Sequence, residues 1–256
     1  MSEFVHMERR GPVAVLSIDR PQAMNALNRE IVSALLEGAK QAEADPEIRA
    51  LLFYSEKNFS AGADIKDMAE SDPAGIRDFS FTGAFNQIEN LKIPTIAVME
   101  GYALGGGMEL ALCCDLRFAG EGAKIGFPEI GLGVFPGAGG GPRLSRLIGP
   151  AAAKELIYTG ERIDAKRALE MGIVNRVVSD GALFDEAMAF AEKLAQRPPL
   201  ALAAVKQVIH FAMDEPDMEK ATAYEAELFS ELFATADQKE GMRAFIEKRK
   251  PEFKGK

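Results

Sequence analysis

The chain has 256 residues, of which 47% are hydrophobic and 27% charged, as in folded globular proteins and unlike disordered ones. The formal net charge of −9 argues against a nucleic-acid-binding protein, because phosphate backbones are bound by basic surfaces. The adjacent Cys113 and Cys114 exclude a disulfide framework and a CxxC zinc site, which favours a reducing compartment. With no secretory signal and no long apolar run, we expect a cytoplasmic protein without membrane contact.

Strands and helices alternate through the first part of the sequence. Runs rich in β-branched and other apolar residues predict strands at residues 13–18, 49–54, 95–99, 116–119 and 173–178. Asn28 caps a predicted helix over residues 29–44. A second helix is predicted to begin at Asp72-Pro73, with Phe81, Phe85, Ile88 and Leu91 at helical spacing. This alternation predicts an α/β fold with parallel strand pairing.

Helical patterns dominate from about residue 150 onward. They cover residues 151–159, 165–171, 181–196, 200–212, 218–235 and 238–250, and only the strand at 173–178 interrupts them. Arg197-Pro198-Pro199 is the best candidate for a hinge. We therefore divide the chain into a core, residues 1–196, and a helical C-terminal region, residues 197–256.

Glycine-rich segments occur at residues 61–64, 105–107 and 136–141, but no nucleotide-binding or serine-hydrolase motif fits them. His6 and His210 are the only histidines, so a usual histidine-based metal site is not expected. Residues 105–107 follow a predicted strand and open the apolar helical run 108–114. Unpaired N–H groups at such a helix start suit a developing oxyanion, although a tight turn that merely permits packing is the commoner explanation.

Two glutamates stand among apolar residues. Glu109 lies in the first turn of the predicted helix, where a simple compensation of the helix dipole is the usual role, but its apolar neighbours predict burial. Glu129 lies in a loop segment flanked by proline and glycine, and the alternative to a functional role is an ordinary exposed glutamate in a loop. Two carboxylates in unlike environments can divide acid and base roles, but the sequence alone does not bring them together.

Several motifs, in order along nearly the whole chain, resemble the enoyl-CoA hydratase/isomerase (crotonase) family. They are Asp19-Arg20-Pro21 with Met24-Asn25-Ala26-Leu27, Phe59-Ser60-Ala61-Gly62-Ala63-Asp64-Ile65-Lys66, Gly101-Tyr102-Ala103-Leu104-Gly105-Gly106-Gly107-Met108-Glu109-Leu110, Phe127-Pro128-Glu129, Pro136-Gly137-Ala138-Gly139-Gly140, Tyr158-Thr159-Gly160-Glu161 and Glu240-Gly241-Met242-Arg243-Ala244-Phe245. The resemblance implies a spiral of repeated ββα units and a helical C-terminal trimerisation region. It also implies an acyl-CoA thioester substrate, a homotrimer or a dimer of trimers, and no metal or other cofactor, since coenzyme A is part of the substrate.

The resemblance also implies roles for particular residues. The backbone N–H groups of Ala63 and Gly106 would form an oxyanion hole, Glu129 would exchange a proton with Cα, and Glu109 would hold and activate water. Residues expected to contact the substrate or its coenzyme A are Met24, Ala26, Ala61, Asp64, Ile65, Lys66 and Gly137, with Phe245 and Lys248 reaching it from a neighbouring subunit. For Lys66 and Lys248 the alternative is a solvated surface charge, and for Phe245 it is a core position.

The paired glutamates favour reversible syn hydration of a 2-enoyl-CoA, most like a short-chain enoyl-CoA hydratase. The alternatives are a Δ3-Δ2-enoyl-CoA isomerase or another acyl-CoA lyase of the family, and a catalytically silent acyl-CoA-binding or RNA-associated relative. Gly140-Gly141-Pro142-Arg143-Leu144 stands where many hydratases have Thr-Gln before Arg-Leu, which leaves the acyl preference open. Phe79, Phe81 and Phe135 could line an acyl pocket or belong to the core.

Overall fold

The computed structural model describes residues 2–256, and at residues 78 and 79 only the backbone. Nine strands are assigned in this part of the chain. They are β1 (Val5–Arg10), β2 (Val13–Ile18), β3 (Ala50–Tyr54), β4 (Thr95–Met99), β5 (Tyr102–Leu104), β6 (Leu116–Gly120), β7 (Lys124–Gly126), β8 (Arg162–Asp164) and β9 (Arg176–Val178).

Twelve α-helices accompany the strands in the described residues. They are α1 (Arg29–Ala44), α2 (Ile65–Met68), α3 (Pro73–Phe79), α4 (Thr82–Glu89), α5 (Gly106–Cys113), α6 (Gly140–Ile148), α7 (Pro150–Thr159), α8 (Ala165–Glu170), α9 (Leu183–Ala195), α10 (Pro199–Asp214), α11 (Met218–Leu232) and α12 (Ala236–Glu247). Short 3₁₀ helices occupy Pro21–Ala23, Pro128–Leu132 and Asp180–Ala182. Within the described part of the chain, no helix has the length and apolar character needed to span a membrane.

The strands form two sheets. The larger sheet has the order β1-β2-β3-β4-β6-β9, and all its pairs except β1-β2 are parallel. The smaller sheet has the order β5-β7-β8, and single parallel bridges extend it from Ala103 to Ser60 and from Ala63 to Leu27. The chain therefore passes from the large sheet to the small sheet and then into a helix, as in β4-β5-α5 and β6-β7-α6. These repeats confirm the predicted crotonase-type spiral of ββα units.

The inner strands β2, β3 and β4 of the large sheet are buried on both faces, which explains why they are almost continuously apolar. In β2, Leu16 faces the main core beneath α1 and α5, whereas Val13 and Val15 face a second cluster that α9 covers. The adjacent strand β3 alternates in the same way, with Phe53 on the first face and Leu52 on the second. Because it is packed on both faces, the sheet fixes the positions of the loops that follow its strands.

Several element predictions need correction. The helix predicted from Asp72 onward is two helices, α3 and α4, because the chain turns at Ser80 between them. The strand predicted at 173–178 begins only at Arg176, since the Ile173 N–H instead donates to the Ala168 carbonyl in the turn after α8. The strand β8 also interrupts the C-terminal helices, and α6 was not predicted.

Candidate active site

Two segments, residues 24–27 and 60–64, lie side by side at the edge of the small sheet. The Leu27 N–H donates to the Gly62 carbonyl at 2.8 Å, and the Asp64 N–H donates to the Leu27 carbonyl at 2.7 Å. The Ala61 N–H donates to the Met24 carbonyl at 3.0 Å. The two segments carry Met24, Ala26, Ala61 and Asp64, four of the nine residues expected to contact the substrate or its coenzyme A, and these hydrogen bonds hold them together.

Arg20 fastens the same two segments through its side chain. Its Nη1 donates to Asp64 Oδ2 at 2.8 Å and to the Ala26 carbonyl at 3.2 Å. Asp64 also caps α2 by accepting from the Lys66 N–H. Asp64 is therefore committed to contacts within the protein, whereas the exposed Ile65 and Lys66 beside it are open to a ligand.

Two backbone N–H groups meet where these segments approach the start of α5. A methyl group built on Gly106 would lie 3.3 Å from the Ala63 nitrogen, so the two peptides are close. Neither N–H donates a hydrogen bond to another described residue. Each N–H directly follows a glycine with positive φ, Gly62 at +114° and Gly105 at +48°, a backbone region that other residues rarely adopt. The glycines thus free two neighbouring donors in positions suited to a carbonyl oxygen.

Glu109 lies in the first turn of α5, and 3% of its surface is exposed, as its apolar neighbours predicted. Its Oε1 accepts hydrogen bonds from the Ala138 and Gly140 N–H groups, each at 2.7 Å. Burial raises the pKa of Glu109, while these two N–H groups and the charge of Arg143 act in the opposite direction. The carboxylate is buried but well supplied with donors for its ionised form.

Glu129, in the 3₁₀ helix Pro128–Leu132, has a different environment. Its carboxylate packs on Gly105, where an added Cβ would lie 2.5 Å from Oε1. Its Oε2 is buried and has no hydrogen-bond partner among the described residues. Burial, opposed by its own backbone N–H and reinforced by the charge of Glu109, raises the pKa of Glu129 to about 7.

The two acids therefore border the same short turn, residues 105–109. Glu129 lies against Gly105, and the Glu109 N–H donates to the Gly105 carbonyl at 2.9 Å. Gly106, whose N–H is free, lies between Gly105 and Glu109 in the sequence. A carbonyl oxygen bound by the two N–H groups would leave its neighbouring carbons next to two acids with different proton affinities, an arrangement suited to proton transfer.

The remaining predicted site residues have varied positions. The Gly137 carbonyl accepts from the Thr82 hydroxyl at 3.3 Å, next to the loop that binds Glu109. Phe245 is 85% exposed on α12, and Lys248 is an exposed residue at the end of that helix. Within one chain, both residues are exposed to solvent. Their contact with the substrate bound to a neighbouring subunit therefore stays a prediction.

The three phenylalanines considered for an acyl pocket also differ. Phe81 is buried against Phe85, which is a core position, whereas Phe135 is 72% exposed in the loop after Glu129. The side chain of Phe79 lies outside the described residues.

The sequence reasoning missed the groups that support the two acids. Ala138 and Gly140 supply the N–H donors to Glu109, although only Gly137 of that glycine-rich run was assigned a contact. The run itself, Pro-Gly-Ala-Gly-Gly-Gly, is the signal that could have identified them, because consecutive small residues let backbone N–H groups approach a carboxylate. Among the side chains that the structure describes, no group of three or more His, Cys, Asp and Glu is placed so that it could hold a metal ion.

Comparison with known proteins finds relatives that match nearly the whole chain. The family model for enoyl-CoA hydratase/isomerase matches residues 8–256. A short-chain-enoyl-CoA hydratase of Clostridium acetobutylicum is 44% identical over 252 residues, covering 97% of this chain and 96% of the relative. A crotonyl-CoA hydratase of Syntrophomonas wolfei is 42% identical, covering 98% of each chain. The crystal structure of an enoyl-CoA hydratase from Bacillus anthracis superposes with a TM-score of 0.93 at 36% identity, covering 99% of this chain and 100% of the other.

The repeated ββα spiral and these matches define a protein of the crotonase fold. The chain belongs to the enoyl-CoA hydratase/isomerase family. The resemblance stated from the sequence motifs is confirmed, and so is the expectation of an enzyme.

Proposed function

We propose that this enzyme adds water reversibly and in syn fashion to a 2-enoyl-CoA, giving a 3-hydroxyacyl-CoA. The printed names of the relatives, short-chain-enoyl-CoA hydratase and crotonyl-CoA hydratase, support this reaction. The observation that carries the proposal is the pairing of the buried Glu109 and the partly buried Glu129 beside the two free N–H groups of Ala63 and Gly106.

In the proposed reaction, the thioester oxygen accepts hydrogen bonds from the Ala63 and Gly106 N–H groups. When water adds at Cβ, negative charge develops on this oxygen and the intermediate acquires enolate character. Donors that are already oriented stabilise this charge without reorganisation, and loss of one such donor costs about 2.7–4 kcal/mol in comparable sites. The remaining N–H groups of the helix start add the positive end of the α5 dipole.

The two acids take different roles because their environments differ. Glu109, whose carboxylate accepts two N–H hydrogen bonds, receives a proton from water as the hydroxyl oxygen bonds to Cβ. Glu129, with a pKa raised to about 7 and an unpartnered oxygen, keeps a substantial protonated fraction at neutral pH, and this protonated form delivers its proton to Cα. The hydroxyl is added to Cβ and the proton to Cα on the same face of the substrate, which is syn addition. Exchange with solvent then restores the starting protonation of both acids.

Binding of the coenzyme A part is assigned to the patch formed by residues 24–27 and 61–66. Its exposed members Met24, Ile65 and Lys66 offer apolar contacts and one cation to an anionic nucleotide. The proposed reaction requires no cofactor beyond the coenzyme A of the substrate. The free state of Cys113 and Cys114 accords with a cytoplasmic location, which we also propose.

We further propose that the chain acts as a homotrimer or a dimer of trimers. Apolar side chains are exposed on all three C-terminal helices, more than an isolated chain ordinarily leaves in solvent. They include Val205, Ile209 and Met213 along one face of α10, Phe229 and Phe233 on α11, and Met242, Phe245 and Ile246 on α12. A neighbouring subunit that covered them would also bring Phe245 and Lys248 towards a site other than their own.

Addition of crotonyl-CoA to the purified enzyme tests the proposed reaction. We expect loss of the enoyl thioester absorbance and a product heavier by one water molecule. A 3-enoyl-CoA serves as the comparison substrate, because an isomerase converts it to the absorbing 2-enoyl form and leaves crotonyl-CoA unhydrated. Conversion of the 3-enoyl-CoA alone would contradict hydration in favour of isomerisation, and binding without turnover of either substrate would indicate a silent acyl-CoA-binding protein.

A further inference from the structure

The loop that binds Glu109 is itself held from the side of α4. Thr82, Asn86 and Glu89 follow one another at intervals of four and three residues, so they share one face of this helix. The Thr82 hydroxyl donates to the Gly137 carbonyl at 3.3 Å. Asn86 Oδ1 and Glu89 Oε2 both accept from Arg143 Nη2 at 2.7 Å, and Glu89 Oε2 accepts from Arg143 Nε at 3.1 Å.

Arg143 connects this helix face to the loop. Its Nη1 donates to the Ala138 carbonyl at 3.0 Å, while the Ala138 N–H donates to Glu109 Oε1 at 2.7 Å. The guanidinium also fills the space next to Gly139, where a Cβ would collide with Nη1 and where φ is +100°. A continuous chain of hydrogen bonds therefore runs from Glu89 through Arg143 and the residue 138 backbone to the Glu109 carboxylate.

We infer that Arg143, anchored by Glu89, is a positioning residue for Glu109: it fixes the loop whose two N–H groups hold this carboxylate in place. The inference rests on the proposed function, in which Glu109 handles the water. Arg143 does not touch the reacting atoms in this scheme. It acts by keeping the Ala138 and Gly140 N–H groups directed at one carboxylate oxygen.

The ion pair of Arg143 and Glu89, called the clamp below, is largely buried, so its removal should have a measurable effect on kcat. The Arg143 side chain is 11% exposed and that of Glu89 is 33% exposed, so the pair is screened less than a surface ion pair. A Glu89 left without its arginine would be a partly buried unpaired charge. The guanidinium meets the carboxylate through Nε and Nη2, a fork that a lysine does not reproduce.

The charged and titratable groups around Glu109 come from four elements. Arg143 on α6 opposes the rise in the pKa of Glu109 that burial causes. Glu129, in the 3₁₀ helix, is close enough for the charge of Glu109 to raise its pKa. Cys113 on α5 donates to the Glu109 carbonyl, and Glu89 on α4 acts through Arg143. Removal of the Arg143 charge should therefore raise the pKa of Glu109 further.

The test compares R143M, R143K and E89Q with the control R146M. Arg146 lies one turn along on α6, in an exposed ion pair with Asp214. We expect R143M to lower kcat by about 10-fold or more with KM changed less than about 3-fold, and the acidic limb of kcat/KM to move to higher pH. R143K and E89Q should show smaller losses of kcat, because each keeps part of the clamp, and R146M should match the wild type.

Two further measurements separate this inference from the proposed function. In an E109Q background, R143M should cause no further loss, because Arg143 acts only through Glu109; an equal fold loss in both backgrounds would overturn the inference. The side-chain titration of Glu109, followed by carbon-13 NMR, needs no turnover and should shift to higher pH in R143K. In E89Q the loss of a negative charge acts in the opposite direction, so kcat is the measurement for that variant. If R143M does not fold, the other two variants decide the question. An unchanged titration in R143K together with an unchanged kcat in both variants would overturn the inference, even if hydration itself is observed.

Discussion

Glu109 and Glu129 differ at the residue scale in what surrounds each carboxylate. Two backbone N–H groups and a nearby guanidinium favour the ionised form of Glu109, whereas one buried oxygen of Glu129 has no partner among the described residues. The unsatisfied oxygen costs stability, because burial of a charge without a donor is unfavourable. We interpret this cost as the physical reason why part of the Glu129 population keeps its proton at neutral pH.

Glu129→Gln should therefore stabilise the protein at alkaline pH. Because the pKa of Glu129 in the folded state, about 7, lies above the ordinary value of 4.5, the folded state binds more protons than the unfolded state between these values. Its contribution to stability is present below pH 4.5 and is lost as the pH rises through 7. The amide does not ionise, so the variant should gain about 1–3 kcal/mol above pH 7 and little at pH 4.5.

Urea denaturation at pH 5 and pH 8, at one protein concentration, measures this difference. Glu192→Gln, at an exposed position on α9, is the matched control and should leave stability unchanged at both pH values. Equal stability of Glu129→Gln and the wild type at pH 8 would contradict the assigned burial cost.

At the scale of elements, the site depends on two glycine turns. One precedes Ala63 at the edge of the small sheet, and the other precedes Gly106 at the start of α5. The positive φ of Gly62 and of Gly105 rotates the following peptide so that its N–H points away from the sheet hydrogen bonds. The proposed oxyanion hole is thus a consequence of where two elements end, and side chains at positions 63 and 106 should contribute little to it.

Gly62→Ala should impair the reaction more than it impairs folding. An alanine Cβ would be strained at φ +114° and would lie 3.2 Å from the Leu104 carbonyl, so the residue 62–63 peptide would have to rotate. We expect kcat to fall by about 10- to 100-fold. Gly11→Ala is the control, since Gly11 also has positive φ but has no atom near its Cβ position in the β1–β2 turn. A loss of stability without a loss of kcat in Gly62→Ala would argue against this donor.

Most of the long elements could be predicted from the sequence, with β1 and α6 as exceptions, whereas the three-residue strands β5, β7 and β8 could not. β2 and β4 appear as predicted because four or five apolar residues within a strand give a sufficient pattern, whereas β5, β7 and β8 have only three residues each. The burial of Glu109 followed from its apolar neighbours. The clamp did not, because Glu89 and Arg143 are 54 residues apart and only the spiral brings them together.

At the scale of the whole molecule, the C-terminal helices are attached to the core but remain incompletely covered. Lys206 on α10 pairs with Asp115 at 3.0 Å, and the Arg49 side chain donates to the Phe253 carbonyl at 2.9 Å. The outer apolar faces of α10, α11 and α12 remain in solvent. A surface that mediates assembly needs both features. The helices are held firmly on their own subunit, and their apolar faces would be buried only by a second subunit.

Light scattering coupled to size exclusion should give three or six times the chain mass of 27.7 kDa. Ile209→Asp should shift the mass downwards at low protein concentration, because it places a charge in the apolar stripe of α10. Gln207→Asp, two residues away on the same helix, serves as the control and should assemble normally. A fully active monomer at all concentrations would contradict the proposed assembly.

The most direct test of the proposed mechanism is the kcat of Glu109→Gln and Glu129→Gln with crotonyl-CoA, together with the Kd of a non-reactive acyl-CoA. Each variant should lose at least about 100-fold in kcat, the scale of general acid–base catalysis, while the Kd changes only a few-fold. Near wild-type kcat in both variants would show that the two acids do not move the protons, and hydration would then need another explanation.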